Sequence, residues 1–144
     1  MNQVIEELNK EQGIAVNDPI NTFVKVVAGA GTGKTKIISK RYIKLIKDLI
    51  GDNVENPIEH LLVITFTEKA ASEMKERIFK ELKLSGINYF NQEYYISTIH
   101  SFCSKILRRY AFEIGLTPNF SVGDKDELEE IYKKRDPKES YICI

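Results

Sequence analysis

Apolar residues along this chain occur in two arrangements, short continuous runs and longer segments with helical spacing. Three short β-rich runs predict strands at residues 23–27, 61–66 and 94–99. In the segments that follow, apolar side chains recur every three or four residues, which predicts helices at residues 35–50, 68–84 and 101–114. Because strands alternate with helices, the pattern indicates an α/β fold with a mostly parallel sheet and helices on both faces.

The same spacing predicts which side of each helix faces the core. The three helices are expected to bury, in order, Ile38, Tyr42, Leu45 and Leu49, then Ala71, Met74, Ile78 and Leu82, then Cys103, Leu107, Tyr110 and Ile114. Gly51 and Gly115 predict the ends of the first and third helices. The apolar run at residues 61–66 predicts a strand that is buried on both faces of the sheet.

The length of 144 residues corresponds to one domain. An acidic segment at residues 124–134 predicts a further helix, whereas residues 135–144 show no usable periodicity. We therefore predict a domain over residues 1–134 and an irregular tail over residues 135–144.

Charge and cysteine content narrow the class of protein. The 21 basic and 21 acidic residues cancel, so net charge alone implies no nucleic-acid or membrane partner. Between Asp18 and Asp48 every charged residue is basic, which gives this segment a positive field. The two cysteines, Cys103 and Cys143, lack metal-ligand spacing and fit a reducing compartment. Since no signal peptide or membrane span is recognisable, we expect a cytoplasmic protein without a membrane partner.

The sequence VVAGAGTGKT at residues 26–35 predicts a phosphate-binding loop between a strand and a helix. Gly31 and Gly33 would let the backbone approach an anion. Lys34 would reach the β- and γ-phosphates of a nucleotide, and Thr35 would give its hydroxyl to Mg²⁺. The usual signature has a glycine where this chain has Ala28, which is tolerated if φ is negative there. A glycine-rich turn that binds nothing is the alternative.

Four segments together carry a family resemblance. They are LNKEQGIAV at residues 8–16, AGAGTGKT at 28–35, LVITFTEKAASEMKERI at 62–78, and ISTIHSFCSKILRRYAFEIGLTPNFSV at 96–122. The chain resembles the UvrD/Rep-like superfamily 1 DNA helicases, with AddA- and RecB-type helicase subunits looking nearest. The resemblance implies a P-loop NTPase fold of the RecA-like type, present here as an incomplete first helicase domain.

The resemblance also implies a nucleotide site for ATP and Mg²⁺. Its residues would be Gln12 as the adenine reader and the loop residues Ala28, Gly29, Ala30, Gly31, Thr32, Gly33, Lys34 and Thr35, followed by Lys36. Lys36 stands where the family often has an arginine against the adenine ring, and an ammonium stacks less well than a planar guanidinium.

For single-stranded DNA, the resemblance implies contacts from Thr65, Phe66, Thr67, Thr98, His100 and Ser101. Phe66 would stack on a base, and the hydroxyls would contact phosphate. Two alternatives stay open, core packing for Phe66 and a structural role for His100. Glu68 is left out of this site because a carboxylate repels phosphate.

Hydrolysis in this family also needs a strand ending in Asp-Glu and arginine fingers, and we find neither in the sequence. No catalytic set is therefore complete, and we expect no appreciable DNA-stimulated ATPase or unwinding from this chain alone. The predicted function is the ATP-binding, DNA-contacting N-terminal portion of a helicase of the repair and recombination type. Its partners would be the remaining helicase domains or a nuclease subunit on another chain. Two alternatives remain, a truncated nucleotide-binding module without turnover and an interaction subunit completed by a separately encoded partner.

Overall fold

The computed structural model describes residues 8–29, 31–88 and 93–123. Its elements, in chain order, are α1 (Lys10–Asn17), α2 (Lys34–Gly51), a 3-10 helix (Pro57–His60), β1 (Leu62–Thr65), α3 (Glu68–Leu84), β2 (Tyr95–Thr98) and α4 (Ile99–Arg109). The described chain is a mixed α/β structure with a small parallel sheet. The predicted helix at 124–134 and the predicted tail at 135–144 lie outside the described residues.

Backbone contacts divide the chain into two compact units, Met1–Phe102 and Cys103–Ile144. The first unit contains both strands and helices α1, α2 and α3. In the second unit, α4 ends at Arg109, earlier than predicted, and Gly115 takes a positive φ of 73° in the turns that follow. Among the described residues, no helix is both long and apolar enough to cross a membrane.

The two strands pair in parallel, in a register that joins Leu62 to Tyr95 at one end and Thr65 to Thr98 at the other. This pairing confirms the prediction of parallel strands linked through a helix. Because both strands end at the same level, Thr65 and Thr98 lie side by side at the carboxyl edge of the sheet. The helices that follow them, α3 and α4, therefore begin at this edge.

The predicted strand at residues 23–27 is wrong for this structure, since the sheet in the described residues has two strands. Phe23 and Val27 are 96% and 86% exposed in this segment. A strand forms only where a neighbour satisfies its backbone groups, and the described residues provide none here. The prediction that β1 is buried on both faces is also wrong, because Leu62 and Ile64 are about half exposed.

The core of the first unit lies between α2, α3, the 3-10 helix and the sheet. Its completely buried apolar side chains are Ile46, Ile58 and Ile78. The predicted inward face of α3 is confirmed at all four positions, which are Ala71, Met74, Ile78 and Leu82.

The predicted inward face of α2 is mostly wrong. Its buried residues are Ile37, Ser39, Tyr42, Ile43 and Ile46, so Tyr42 is the one predicted position that is buried. Helix α2 packs against α1, α3 and the 3-10 helix, so its buried stripe is set by three neighbours rather than one. The Tyr42 hydroxyl is buried without a hydrogen-bond partner among the described residues, and this burial raises the pKa of the phenol.

Candidate functional site

Glycine backbone geometry shapes the phosphate loop, which we define as residues 28–35. Gly31 and Gly33 have φ values of 75° and 89°, in the left-handed region that other residues rarely adopt. Gly33 is the N-cap of α2. The two glycines singled out in the sequence therefore stand where the backbone requires them. Ala30 lies outside the described residues.

The N terminus of α2 differs from those of α1 and α3, because no side chain in the described ranges caps it. In α1 the side chain of Asn9 accepts a hydrogen bond from the backbone N–H of Gln12. In α3 the Thr67 hydroxyl accepts one from the backbone N–H of Ala70. The first N–H groups of a helix carry partial positive charge and need acceptors. At α2, an anion can therefore bind without displacing a side-chain cap.

Lys34 folds back onto the loop that precedes it. Its Nζ donates a hydrogen bond to the carbonyl oxygen of Ala28 at 3.0 Å and another to that of Gly29. The Thr32 hydroxyl donates to the same Gly29 carbonyl at 2.8 Å. Lys34 and Thr35 are both at least partly exposed, so the ammonium group and the hydroxyl are accessible to a ligand at the start of α2.

Gln12 lies against the phosphate loop. Its Nε2 donates to the carbonyl oxygen of Thr32 at 3.2 Å, and its Oε1 accepts from the Asn9 amide at 3.1 Å. A Cβ added to Gly33 would lie 3.3 Å from the same Nε2, so the two groups are closely packed. The structure thus brings together α1 and the loop, which are far apart in the sequence.

Arg41 is a residue that the sequence reasoning missed. Its guanidinium donates to the carbonyl oxygens of Ala15 at 2.8 Å, Asp18 at 3.0 Å and Pro19 at 3.3 Å. Helix α1 has no basic residue in its own last turn, so Arg41 of α2 supplies the positive charge there. The lack of a basic residue in the last turn of α1 was the one available sequence signal for such a contact. It does not identify which distant residue supplies the positive charge.

A second group of predicted residues lies at the carboxyl edge of the sheet. We define the helix-pair edge as residues 65–68 and 98–101, where β1 leads into α3 and β2 leads into α4. Phe66 is 102% exposed there, so the alternative of core packing is wrong. The Thr65 hydroxyl donates to the Thr67 carbonyl oxygen at 3.0 Å, and His100 is exposed on the first turn of α4.

Glu68 joins the two halves of the helix-pair edge. Its Oε1 accepts hydrogen bonds from the Ser101 hydroxyl at 2.7 Å and from the Thr98 hydroxyl at 2.8 Å. These bonds, led by that of Ser101, hold the pKa of Glu68 below its usual value. Thr98 is almost completely buried, and its Oγ1 also accepts from the Ser101 amide at 3.2 Å. The carboxylate of Glu68 thus lies beside two of the predicted DNA-contacting residues, and its exclusion from DNA contact stays a prediction.

The described residues contain no cluster of three or more His, Cys, Asp or Glu side chains that could hold a metal ion. Magnesium commonly keeps several waters and takes its remaining ligands from one or two protein oxygens and from substrate phosphates. The accessible hydroxyl of Thr35 at the start of α2 fits such a site. Thr35 therefore suits a metal that arrives with a nucleotide.

A family model, the UvrD/REP helicase N-terminal domain, matches residues 8–142 of the chain. The chain belongs to this family. The match confirms the resemblance drawn from the four sequence segments, and the UvrD/REP model covers both the phosphate loop and the helix-pair edge.

Individual relatives agree with the UvrD/REP assignment. An ATP-dependent helicase/nuclease subunit of Thermoanaerobacter sp. (strain X514) is 38% identical, over 83% of this chain and 11% of that protein. The corresponding subunit of Natranaerobius thermophilus is 40% identical, over 74% of this chain and 9% of that protein. A probable DNA helicase II homolog of Mycoplasma capricolum is 38% identical, over 92% of this chain and 17% of that protein. The chain thus spans between 9% and 17% of the length of these three relatives.

Within this UvrD/REP helicase domain, the predicted site residues form two groups in space. Gln12 and the described loop residues form one, and the residues of the helix-pair edge form the other. Their roles toward nucleotide and DNA stay predictions.

Proposed function

We propose that this chain binds ATP with Mg²⁺ at the phosphate loop and single-stranded DNA at the helix-pair edge. It would do so as the N-terminal portion of an ATP-dependent DNA helicase of the repair and recombination type, in a RecA-like P-loop fold. The observation that carries the proposal is the start of α2, where two left-handed glycines precede a helix terminus that no described side chain caps. Lys34 and Thr35 come directly after Gly33 in the sequence, and both are accessible.

The chemistry of nucleotide binding follows from these groups. Phosphate oxygens accept hydrogen bonds from the first-turn N–H groups of α2, where the helix dipole favours negative charge. The Lys34 ammonium, which now contacts the carbonyls of Ala28 and Gly29, turns to the β- and γ-phosphates. Thr35 would supply its hydroxyl oxygen to Mg²⁺, and Gln12 would contact the adenine base. Bound ATP·Mg²⁺ would supply the free energy that a helicase uses to move on DNA.

Single-stranded DNA is proposed to bind at the helix-pair edge. The fully exposed ring of Phe66 offers a face on which a base can stack, a contact that every base can make. His100 and the N terminus of α3 belong to the same edge and can contact phosphate. While Glu68 is ionised, it accepts the hydroxyl hydrogens of Ser101 and Thr98. These two side chains are then better suited to positioning the edge than to donating to phosphate.

We also propose protein partners and a cellular compartment for this chain. Two of the relatives are helicase/nuclease subunits by name, which supports an assembly with further helicase domains or with a nuclease subunit. Within the part of the chain that the structure describes, Cys103 forms no disulfide, which fits the reducing conditions of the cytoplasm. We therefore place the DNA-dependent function in the cytoplasm.

The proposal is tested by titrating the chain and its Lys34→Ala variant with ATP·Mg²⁺ in a calorimeter. A charge-assisted contact to phosphate is worth roughly 1.5–3 kcal/mol, so the variant should bind about one to two orders of magnitude more weakly. Lys47→Ala is the matched control, because Lys47 is an exposed lysine further along α2. Equal affinities of the parent chain and Lys34→Ala would remove Lys34 from the site.

A further inference from the structure

Helix α1 carries Gln12, but its own length and burial are too small to hold the helix in place. It is eight residues long, and Val16 is its one buried residue. Isolated helices of this length are not stable in water, so contacts with the rest of the fold must hold α1. Its main neighbour is α2, the helix that begins at the phosphate loop.

Arg41 makes the polar part of that contact. The guanidinium lies at the C-terminal end of α1 and donates to the three carbonyls described above, with a fourth, longer contact of 3.5 Å to Val16. Carbonyls at the end of a helix lack partners within the helix and carry partial negative charge. A planar guanidinium with five N–H donors can satisfy several of them at once, which an ammonium group cannot do in the same geometry.

The partners of the Gln12 side-chain amide fix which way its oxygen and its nitrogen point. The Asn9 N–H can only donate and therefore faces Oε1, whereas the Thr32 carbonyl can only accept and therefore faces Nε2. Among the residues that the structure describes, no other partner uses the remaining N–H and lone pair of the Gln12 side-chain amide, and these two groups can serve a ligand. That pair matches the N7 acceptor and N6 donor of adenine, whereas guanine presents two acceptors, N7 and O6.

We propose that Arg41 is a positioning residue for purine selectivity. By fixing the end of α1 against α2, it holds the Gln12 amide where the phosphate loop places the base of a bound nucleotide. Arg41 itself contacts no ligand, and it favours adenine over guanine through Gln12. This inference rests on the proposed ATP binding at the phosphate loop.

The experiment compares three ligands with Mg²⁺ in the full chain: ATP, GTP and inorganic tripolyphosphate. A bidentate contact between an amide and a base edge is commonly worth about 5- to 150-fold in discrimination. Gln12→Ala should lose most of the preference for ATP over GTP, and Arg41→Ala should lose a similar share. Both variants should bind tripolyphosphate within about twofold of the parent chain, because that ligand has no base.

Two further variants separate positioning from general stabilisation. The double variant Gln12→Ala/Arg41→Ala should show no more loss of selectivity than Gln12→Ala alone, since Arg41 acts through Gln12. Lys40→Ala is the matched control, because the Lys40 ammonium pairs with Glu81 of α3 at 2.8 Å and should not affect selectivity. If Arg41→Ala does not fold, as judged by circular dichroism, Arg41→Lys replaces it and should lose part of the selectivity.

Three results would overturn the inference. The first is an equal loss of affinity for ATP and tripolyphosphate in the Arg41 variant, which would indicate a merely structural role. The second is an unchanged ATP preference in that variant while Gln12→Ala abolishes it. The third is a parent chain that binds tripolyphosphate but does not distinguish ATP from GTP. That result would still support the proposed phosphate binding at the loop. A parent chain that binds none of the three ligands would overturn the proposed function as well.

Discussion

The phosphate loop and the helix-pair edge both lie where the chain enters a helix, yet different interactions hold them. At the phosphate loop the backbone sets the geometry, through the positive φ values of Gly31 and Gly33 and an uncapped helix terminus. At the helix-pair edge, side chains set it, since Glu68 joins Thr98 to Ser101 and Thr67 caps α3. One region is built from local conformation and the other from contacts between separate elements.

This difference determines what each region can tolerate. A backbone-built loop can bind an anion through N–H groups that every residue except proline provides, but a Cβ at a left-handed position disturbs it. A side-chain network depends on each of its hydrogen-bonding groups. Substitutions in the glycine turn should therefore affect ligand binding at the first region, and substitutions in the hydrogen-bond network should affect stability or its pH dependence at the second.

The largest effect is expected at the most exposed residue of the helix-pair edge. Phe66→Ala should weaken single-stranded DNA binding by about 5- to 150-fold, since stacking on one aromatic is worth about 1–3 kcal/mol. ATP affinity and melting temperature should stay unchanged, because the ring is 102% exposed. Fluorescence anisotropy with a labelled oligonucleotide measures the effect. Phe112→Ala, at another exposed phenylalanine, is the control, and equal losses in both variants would contradict a site at Phe66.

At the phosphate loop, Gly33→Ala should weaken ATP binding by about tenfold. A left-handed conformation costs an alanine about 1–2 kcal/mol, and the new Cβ would lie 3.3 Å from Gln12 Nε2. Gly51→Ala makes the same substitution at the end of α2, where nothing lies within 4 Å, and should leave ATP binding unchanged. Calorimetric titration checks both. An unaffected Gly33→Ala variant would show that the left-handed turn is not needed for the nucleotide.

Thr98→Val tests the side-chain network through stability. Thr98 caps the first turn of α4 and donates to Glu68, so its loss should lower the free energy of unfolding by about 0.5–2 kcal/mol. Ser101→Ala, at an exposed position of the same network, should cost less than about 0.5 kcal/mol. Urea denaturation of the full chain gives both values. If Ser101→Ala lowered the free energy of unfolding more than Thr98→Val, the burial of Thr98 would not explain its contribution to stability.

The smallest effect is expected from Glu68 and appears only as a change with pH. Because its pKa is lowered in the folded state, the carboxylate stabilises the fold above its ordinary pKa, and this contribution is lost as pH falls through the lowered folded pKa. The stability difference between the parent chain and Glu68→Gln should therefore be constant near neutral pH and shrink in acid. Thermal melts across an acid pH series measure it. A stability difference that grows as the pH falls would contradict the network.

Particular residues show how far the sequence could be read. The buried face of α3 was predictable because its apolar residues, such as Met74 and Ile78, follow a single helical spacing. The buried face of α2 was not, since three elements pack around that helix and shift its buried stripe. The apolar run at 23–27 has strand-like composition, yet a strand also needs a neighbour, and composition carries no information about pairing.

Three features were predictable from the sequence: the family, the parallel pairing of the two strands and the positions of the two left-handed glycines. These features depend on motifs and local conformation, which short segments encode. Tertiary structure alone decided that Glu68 lies among Thr98 and Ser101, and that Arg41 caps the end of α1. The physical reason is distance along the chain: Glu68 and Ser101 are 33 residues apart and Arg41 and Ala15 are 26 apart, so only folding determines which polar groups satisfy each other.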